Sequence, residues 1–232
     1  MRIAIVGNGR MGKALTALAV DQGHTIHTVI TSAENARGRA LVPARLAGCD
    51  VALEFTSPDA AVDNLQKLLE LGIPTVTGTT GWYDALPQVT ACTRAHRGAL
   101  LHSANFSVGV HLFLRTAREL ARLLKDRPEF AGSITEQHHS TKRDAPSGTA
   151  LLLRRQLATS DPDRSFPIRS VRQGSGAGTH TLSYDGPHDR IVLSHIASDR
   201  EAFAAGALLA AQWLPGKAGV FTFEDILFGS AA

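Results

Sequence analysis

Short apolar runs and helix-spaced segments alternate over the first hundred positions. Met1–Val6, Thr25–Ile30, Val51–Phe55, Ile73–Thr77 and Ala99–Ser103 read as strands. Between them, Lys13–Val20 reads as a helix, and Thr56-Ser57-Pro58 starts another in which Ala61, Leu65, Leu68 and Leu69 recur at helical spacing. A further helix reaches about Arg97. Such alternation predicts a parallel sheet covered by helices on both faces. After Asn105 the pattern changes. A long helix from Val108 to about Leu124 leads to a strand at Gly132–Gln137 and a helix from Ala150. Strand-like runs follow near Ile168–Gln173, Thr179–Tyr184 and Arg190–His195, with Gln173–Gly178 as a flexible connection. These predict a second unit, a mixed or antiparallel sheet with helices on one face. A helix at about Arg200–Trp213 and a last strand or short extension at Phe221–Glu224 bring the chain back beside the first unit. The expected domains are therefore 1–106, completed by about 200–232, and 107–199.

Composition narrows the class. With 232 residues, 44% hydrophobic and 19% charged, the chain can bury a substantial core, and neither disorder nor a coiled coil is indicated. The pI near 9.1 rests on a net charge of only +3. Scattered arginines and scarce aromatics give little support to a nucleic-acid role; anionic metabolites suit the charge better. Cys49 and Cys92 form no metal or disulfide motif and read as small apolar fillers. With no signal peptide and no membrane-length apolar run, the expectation is a cytoplasmic protein with no membrane partner.

Chemistry enters at the first turn. Gly7-Asn8-Gly9-Arg10-Met11-Gly12 follows the first strand and opens the first helix, the context in which Gly-x-Gly-x-x-Gly means dinucleotide binding in a Rossmann-like, doubly wound sheet. Gly7 would allow the tight turn, Gly9 the approach of a pyrophosphate and Gly12 helix–strand contact. The bland alternative is a glycine-rich turn without a nucleotide. Strand two ends in Thr31-Ser32, with Glu34 next and Arg37 and Arg39 near, a mixture leaning towards NADPH over NADH. Phe55-Thr56, Gly78-Thr79-Thr80 and Ser103-Ala104-Asn105-Phe106 also lie at C-terminal strand ends, where ligands of such sheets bind.

The densest chemistry lies at Glu136–Ala150. His138, His139 and Lys142 precede Asp144-Ala-Pro-Ser147-Gly148-Thr149, with Asp144 or Ser147 as helix N-cap and Pro146 near the first turn. Backbone N–H groups of Ser147, Gly148 and Thr149 suit an anion, Lys142 adds a cation, and a histidine can move a proton. Only one of two adjacent histidines on an extended strand need face the reaction. A metal site on His138 and His139 lacks helical ligand spacing.

The run His138-His-x-x-Lys142-x-Asp-Ala-Pro-Ser-Gly-Thr-Ala150 resembles the signature of the dihydrodipicolinate reductase family, nicotinamide-dependent reductases of the diaminopimelate branch of lysine biosynthesis. Gly9-Arg-Met-Gly12, Phe55-Thr56, Gly78-Thr-Thr-Gly81 and Ala104-Asn-Phe-Ser-Val-Gly109 resemble its cofactor-contacting segments; the first turn is one residue shorter than is common there. The resemblance implies reduction of 4-hydroxy-tetrahydrodipicolinate by NADPH or NADH. His138 would be the general acid and Lys142 its cationic partner or a second proton donor, while His139, Ser147, Gly148 and Thr149 would contact substrate carboxylates. It also implies domain closure, with hinges near Asn105–Val108 and Ser198–Arg200. A homo-oligomer, a tetramer in the family, is expected as well, with 160–190 short enough to alter its contacts. Other readings are a paralogous reductase of another imine or keto acid, a non-catalytic nucleotide sensor and, remotely, a metal hydrolase.

Overall fold

The computed structural model describes residues 1–174, 178–199 and 201–229. The chain divides into two compact units, Met1–Ser107 with Glu201–Ala232, and Val108–Arg200. The elements run β1 (Arg2–Val6), α1 (Arg10–Asp21), β2 (Thr25–Ile30), α2 (Pro43–Leu46), β3 (Val51–Glu54), α3 (Pro58–Glu70), β4 (Thr75–Thr77), α4 (Leu86–Ala95) and β5 (Ala99–His102). The second unit follows with α5 (Val108–Leu124), β6 (Ala131–His138), α6 (Gly148–Ser160), β7 (Ile168–Arg172), β8 (Gly178–Asp185) and β9 (Arg190–Ala197). Then α7 (Glu201–Trp213), β10 (Gly219–Thr222) and α8 (Phe223–Phe228) return to the first unit.

In the first unit the strand order is β10-β5-β4-β3-β1-β2, with every described pairing parallel. Parallel strands are covered on both faces, so β1 and β3 read as near-continuous apolar runs. Ala4, Val6 and Ala52 pack with Leu46 and Leu68. Ile5, pointing the other way, meets α1 at Gly12. Cys49 and Cys92 are thiols packed beside apolar clusters. The strand expected at Phe221–Glu224 is β10, two residues earlier. Asp225 accepts from both the N–H and the hydroxyl of Thr222, a capping box that turns Phe223 and Glu224 into helix.

In the second unit the order is β7-β6-β8-β9, parallel between β6 and β7 and antiparallel elsewhere. Its buried face alternates, with Gly132, Ile134, Glu136 and His138 on β6 and Gly178, His180, Leu182 and Tyr184 on β8. Val110, Phe113, Leu114 and Ala117 of α5, and Leu153 and Leu157 of α6, cover its apolar part. Register sorts this face into rows. Ile134 lies beside Ile168 and Leu182, with Leu193 beyond; one step along, Glu136 lies beside Ser170 and His180, with His195 beyond. His138 lies beside Arg172. Apolar chemistry thus gives way to ionisable chemistry within two residues of strand. The Arg164 guanidinium fixes the turn after α5. It donates to the carbonyls of Phe130, Leu124 and Arg127 and pairs with Asp161 at 2.6 Å. Among the described residues no helix is long and apolar enough to cross a membrane. Part of the expected connection at 173–178 and of the hinge at Ser198–Arg200 lies outside the described residues.

Candidate active site

In the first unit the C-terminal ends of β1, β3, β4 and β5 lie side by side, which gathers Gly7–Gly12, Phe55, Gly78–Thr80 and Ser103–Phe106. Packing explains two of the three turn glycines. Gly7 has φ +104°, and a Cβ there would lie 2.2 Å from the Phe55 carbonyl oxygen. A Cβ at Gly12 would lie 1.9 Å from the Gly7 carbonyl oxygen, so α1 sits directly on the turn. Gly9 differs. Its φ is −76°, and no atom of the described residues lies within 4 Å of where its Cβ would be, so neither strain nor their packing requires glycine. No side chain caps α1, and its first turn carries no acid, which leaves its N–H groups suited to a pyrophosphate. Asn8 and Arg10 are exposed and Met11 half-buried beside them.

Neighbouring strand ends form an ordered wall. The Phe55 ring lies against Gly78, where a Cβ would meet it at 2.0 Å, and packs on Phe106 at 5.9 Å between centroids. Thr79 is buried; its hydroxyl accepts from the Thr56 N–H at 2.8 Å and its carbonyl from the Trp82 indole at 2.8 Å. Thr80 is exposed. The Ser103 hydroxyl donates to the Asn105 carbonyl at 2.5 Å, and Asn105 Oδ1 accepts from the Ser107 N–H at 2.8 Å; Ala104 is exposed at that turn. Phe106 is buried against Phe223, so its ring supports the wall from behind. At the end of β2, Glu34 accepts from the Thr31 N–H at 2.9 Å and pairs with Arg45 at 2.8 Å. Those hydrogen bonds, from Arg45 first and then Thr31, hold its carboxyl below the usual range. Arg37 and Arg39 are exposed nearby.

The second unit holds the titratable cluster. His138 ends β6 rather than starting the loop, and it is buried, while His139 is half-exposed and bonded to the Thr141 hydroxyl at 2.7 Å. His138 Nδ1 is bonded to one Glu136 carboxylate oxygen. Arg172 Nη2 donates to the other at 2.7 Å and to the Asp144 carbonyl at 2.5 Å. Burial would raise the Glu136 pKa, but hydrogen bonds from Arg172, Ser170 and His138 outweigh it and hold it at about 2. Burial lowers the His138 pKa; Glu136 works against this, and Lys142 and Arg172 add to it. Lys142 pairs with Asp144 at 2.8 Å. Ser147, not Asp144, caps α6: its Oγ accepts from the Ala150 N–H and meets His180 Nε2 at 3.0 Å. Gly148 is exposed, with no atom of the described residues within 4 Å of where a Cβ would be, and Thr149 is half-buried beside it.

Glu136, Arg172 and His180 join the site although no motif in the sequence marks them. The His180 ring stands edge-on to His138 at 5.1 Å, and burial, then the charge of His138, pushes its pKa down to about 4. The strand period places Glu136 on the face of His138, a signal present in the sequence. Arg172 and His180 arrive through pairing of distant strands, which no local pattern announces. Glu136, His138 and His180 bring three ligand-type atoms within 4.8 Å of one another. Yet the Glu136 oxygens already serve His138 and Arg172, and a guanidinium beside a cation is unfavourable.

Comparison with known proteins agrees with this geometry. Residues 1–106 match the family description "Dihydrodipicolinate reductase, N-terminus", and residues 109–227 match "Dihydrodipicolinate reductase, C-terminus". A 4-hydroxy-tetrahydrodipicolinate reductase of Christiangramia forsetii is 34% identical over 239 residues, covering 98% of each chain. One of Thiobacillus denitrificans is 35% identical over 266 residues, again covering 98% of each. The solved dipicolinate-bound dihydrodipicolinate reductase of Paenisporosarcina sp. TG-14 has the same fold, with a TM-score of 0.79 at 20% identity over 98% of this chain and 99% of that one. The chain belongs to the dihydrodipicolinate reductase family.

Proposed function

We propose that this protein reduces 4-hydroxy-tetrahydrodipicolinate to tetrahydrodipicolinate, with net loss of water, using NADPH or NADH in the diaminopimelate route to lysine. The observation that carries the reading is the state of His138, whose Nδ1 is tied to Glu136 so that Nε2 is the nitrogen left for a substrate.

Gly7, Asn8, Gly9, Arg10 and Met11 would hold the pyrophosphate, and the opening at Gly9 together with the uncapped start of α1 fits it. Phe55, Gly78, Thr79, Thr80 and Ser103–Phe106 would line the rest of the nucleotide's path. When bound, the reduced nicotinamide supplies the hydride that goes to ring C4. His138 delivers the proton that balances the charge developing on the enamine-like ring. Lys142 exchanges Asp144 for a substrate carboxylate, and the N–H groups of Gly148 and Thr149 bind the same class of group at the start of α6. His139, half-exposed beside them, contacts the second carboxylate, and Ser147 keeps that helix start in shape. Domain 1–106 with 200–232 serves the nucleotide and 107–199 the dicarboxylate. Such an enzyme works in the cytoplasm. It forms a homo-oligomer, for which the sheet face carrying exposed Val192 and Ile196 offers apolar area.

A coupled assay with freshly generated hydroxy-dicarboxylate, run separately with NADPH and NADH, tests the reading. Oxidation of either nucleotide dependent on the dicarboxylate is expected. Turnover only with other imines or keto acids would favour the paralogous reductase, and nucleotide binding without turnover the sensor. His138→Gln should lower kcat by about two to four orders of magnitude with nucleotide affinity unchanged; wild-type turnover would remove His138 from the mechanism.

A further inference from the structure

We infer that Glu136 and Arg172 form a positioning pair for His138: Glu136 confines one proton to Nδ1 so that the proton given to the substrate leaves from Nε2, while Arg172 keeps Glu136 anionic and ties it to the loop carrying Lys142. The inference rests on the reading of His138 as the proton donor.

The geometry follows from the strand. Residues two apart on β6 share a face, and from that position the Glu136 carboxylate meets the near ring nitrogen, Nδ1. The far edge of the ring faces Gly178, where a Cβ would stand 2.6 Å from Nε2. Glycine there keeps a side chain of its own off that edge. A carboxylate on one histidine nitrogen selects the tautomer and leaves the other nitrogen for chemistry. In the doubly protonated ring, Nε2–H passes its proton to the substrate, and the neutral ring that remains keeps its proton on Nδ1. No change of tautomer is needed before Nε2 takes up the next proton.

Arg172 makes this arrangement durable. A buried carboxylate without a cation would hold its own proton and cease to orient the imidazole. The guanidinium supplies that cation from β7, and Ser170 adds a further hydrogen bond. Arg172 Nη2 also binds the Asp144 carbonyl, two residues from Lys142, so one side chain ties the proton donor to the carboxylate-binding loop. The charged and titratable groups facing His138 are Glu136, Lys142, Arg172 and His180, with Asp144 behind Lys142 and His195 behind His180. Of these, Glu136 alone favours the charged imidazole by direct contact.

Two measurements on the full-length protein decide the matter. The first is a cycle of Glu136→Gln, His138→Gln and the double variant, reading kcat, KM, nucleotide affinity and the pH profile of kcat. Glu136→Gln should lower kcat about 10- to 100-fold with KM little changed. It should also move the alkaline limb to lower pH, because an anion that favoured the protonated ring has gone. In the His138→Gln background the same change should cost no further turnover. A merely structural role would cost the same in both backgrounds and leave the limb in place, and either result overturns the inference.

The second is the side-chain ¹⁵N spectrum of His138, without substrate. The neutral ring should carry its proton on Nδ1 in the wild type, and Glu136→Gln should move it towards Nε2. Should Glu136→Gln fail to fold, Arg172→Gln takes its place, and it should shift the same resonances by weakening the anion. An unchanged tautomer in the folded variant sinks the proposal. Absence of wild-type turnover would sink the functional reading instead and leave the spectra to decide this one.

Discussion

Three glycines of one turn separate stability from binding. A side chain at Gly12 would collide with the Gly7 carbonyl, whereas one at Gly9 would meet no atom of the described residues within 4 Å. Gly12→Ala should therefore lower Tm and weaken the nucleotide together, by the overpacking cost of about 1–3 kcal/mol. Gly9→Ala should leave Tm in place and weaken binding of the reduced nucleotide alone, read by thermal denaturation and fluorescence titration. Equal Tm losses in both would mean that the open space at Gly9 has no bearing on a ligand. The motif's spacing gives Gly7 the tight turn, Gly9 the approach of a pyrophosphate and Gly12 the helix–strand contact. What needed coordinates was the identity of the neighbours, the Phe55 carbonyl at Gly7 and the Gly7 carbonyl at Gly12. Lys142 makes a similar point. Its ammonium was readable as a carboxylate-binding cation, but not the Asp144 carboxylate that holds it at 2.8 Å. Lys142→Ala should raise KM and lower kcat together in steady-state kinetics; a wild-type KM would count against it.

Among elements, β6 and α6 set the site. Helix α6 starts at Ser147 because its hydroxyl accepts from the Ala150 N–H, and the same oxygen meets His180. Ser147→Ala should cost about 1 kcal/mol as a lost cap. Ser147→Asp retains a cap acceptor and should recover that part, a difference that urea denaturation resolves; equal losses would assign the cost to the His180 contact instead. The strands and the long α5 were legible because apolar residues recur at their proper periods. Strand β4 is shorter than expected because Pro74 lacks an N–H and pairing begins at Thr75. The end of β10 was misplaced although Thr222 and Asp225 carry a capping-box pattern, since the apolar Phe221 and Phe223 suggested a strand running on. Glu136 could have been found by counting two residues back from His138. Arg172 and His180 could not, because their meeting with His138 depends on the register of β7 and β8.

Across the whole molecule, the groups held furthest from their usual protonation are unevenly distributed. Glu136 and His180 both lie in the second unit, whereas Trp82 and Trp213 both belong to the first. The folded state disfavours the proton on each group. His180 therefore contributes stability above its ordinary pKa of 6.5 that is lost as pH falls towards about 4. Glu136 contributes stability above 4.5 that is lost towards about 2. Acidification from pH 7 to 4 should thus lower the urea midpoint seen by circular dichroism, which reports both units, more than the midpoint seen by tryptophan fluorescence. Superimposable transitions at both pH values would show that the two units unfold together.

The rows across the second sheet carry a last consequence. Leu182 and His180 are neighbours on one face of β8, and a slip of a single residue against β6 would turn both to the opposite face. The error that misplaces the imidazoles therefore also strips the sheet of its oily anchor, so misassembled copies cannot persist as slow enzymes. A change that disturbs only this register should show as fewer competent molecules, each working at full speed, and specific activity then becomes a head count of correctly built chains.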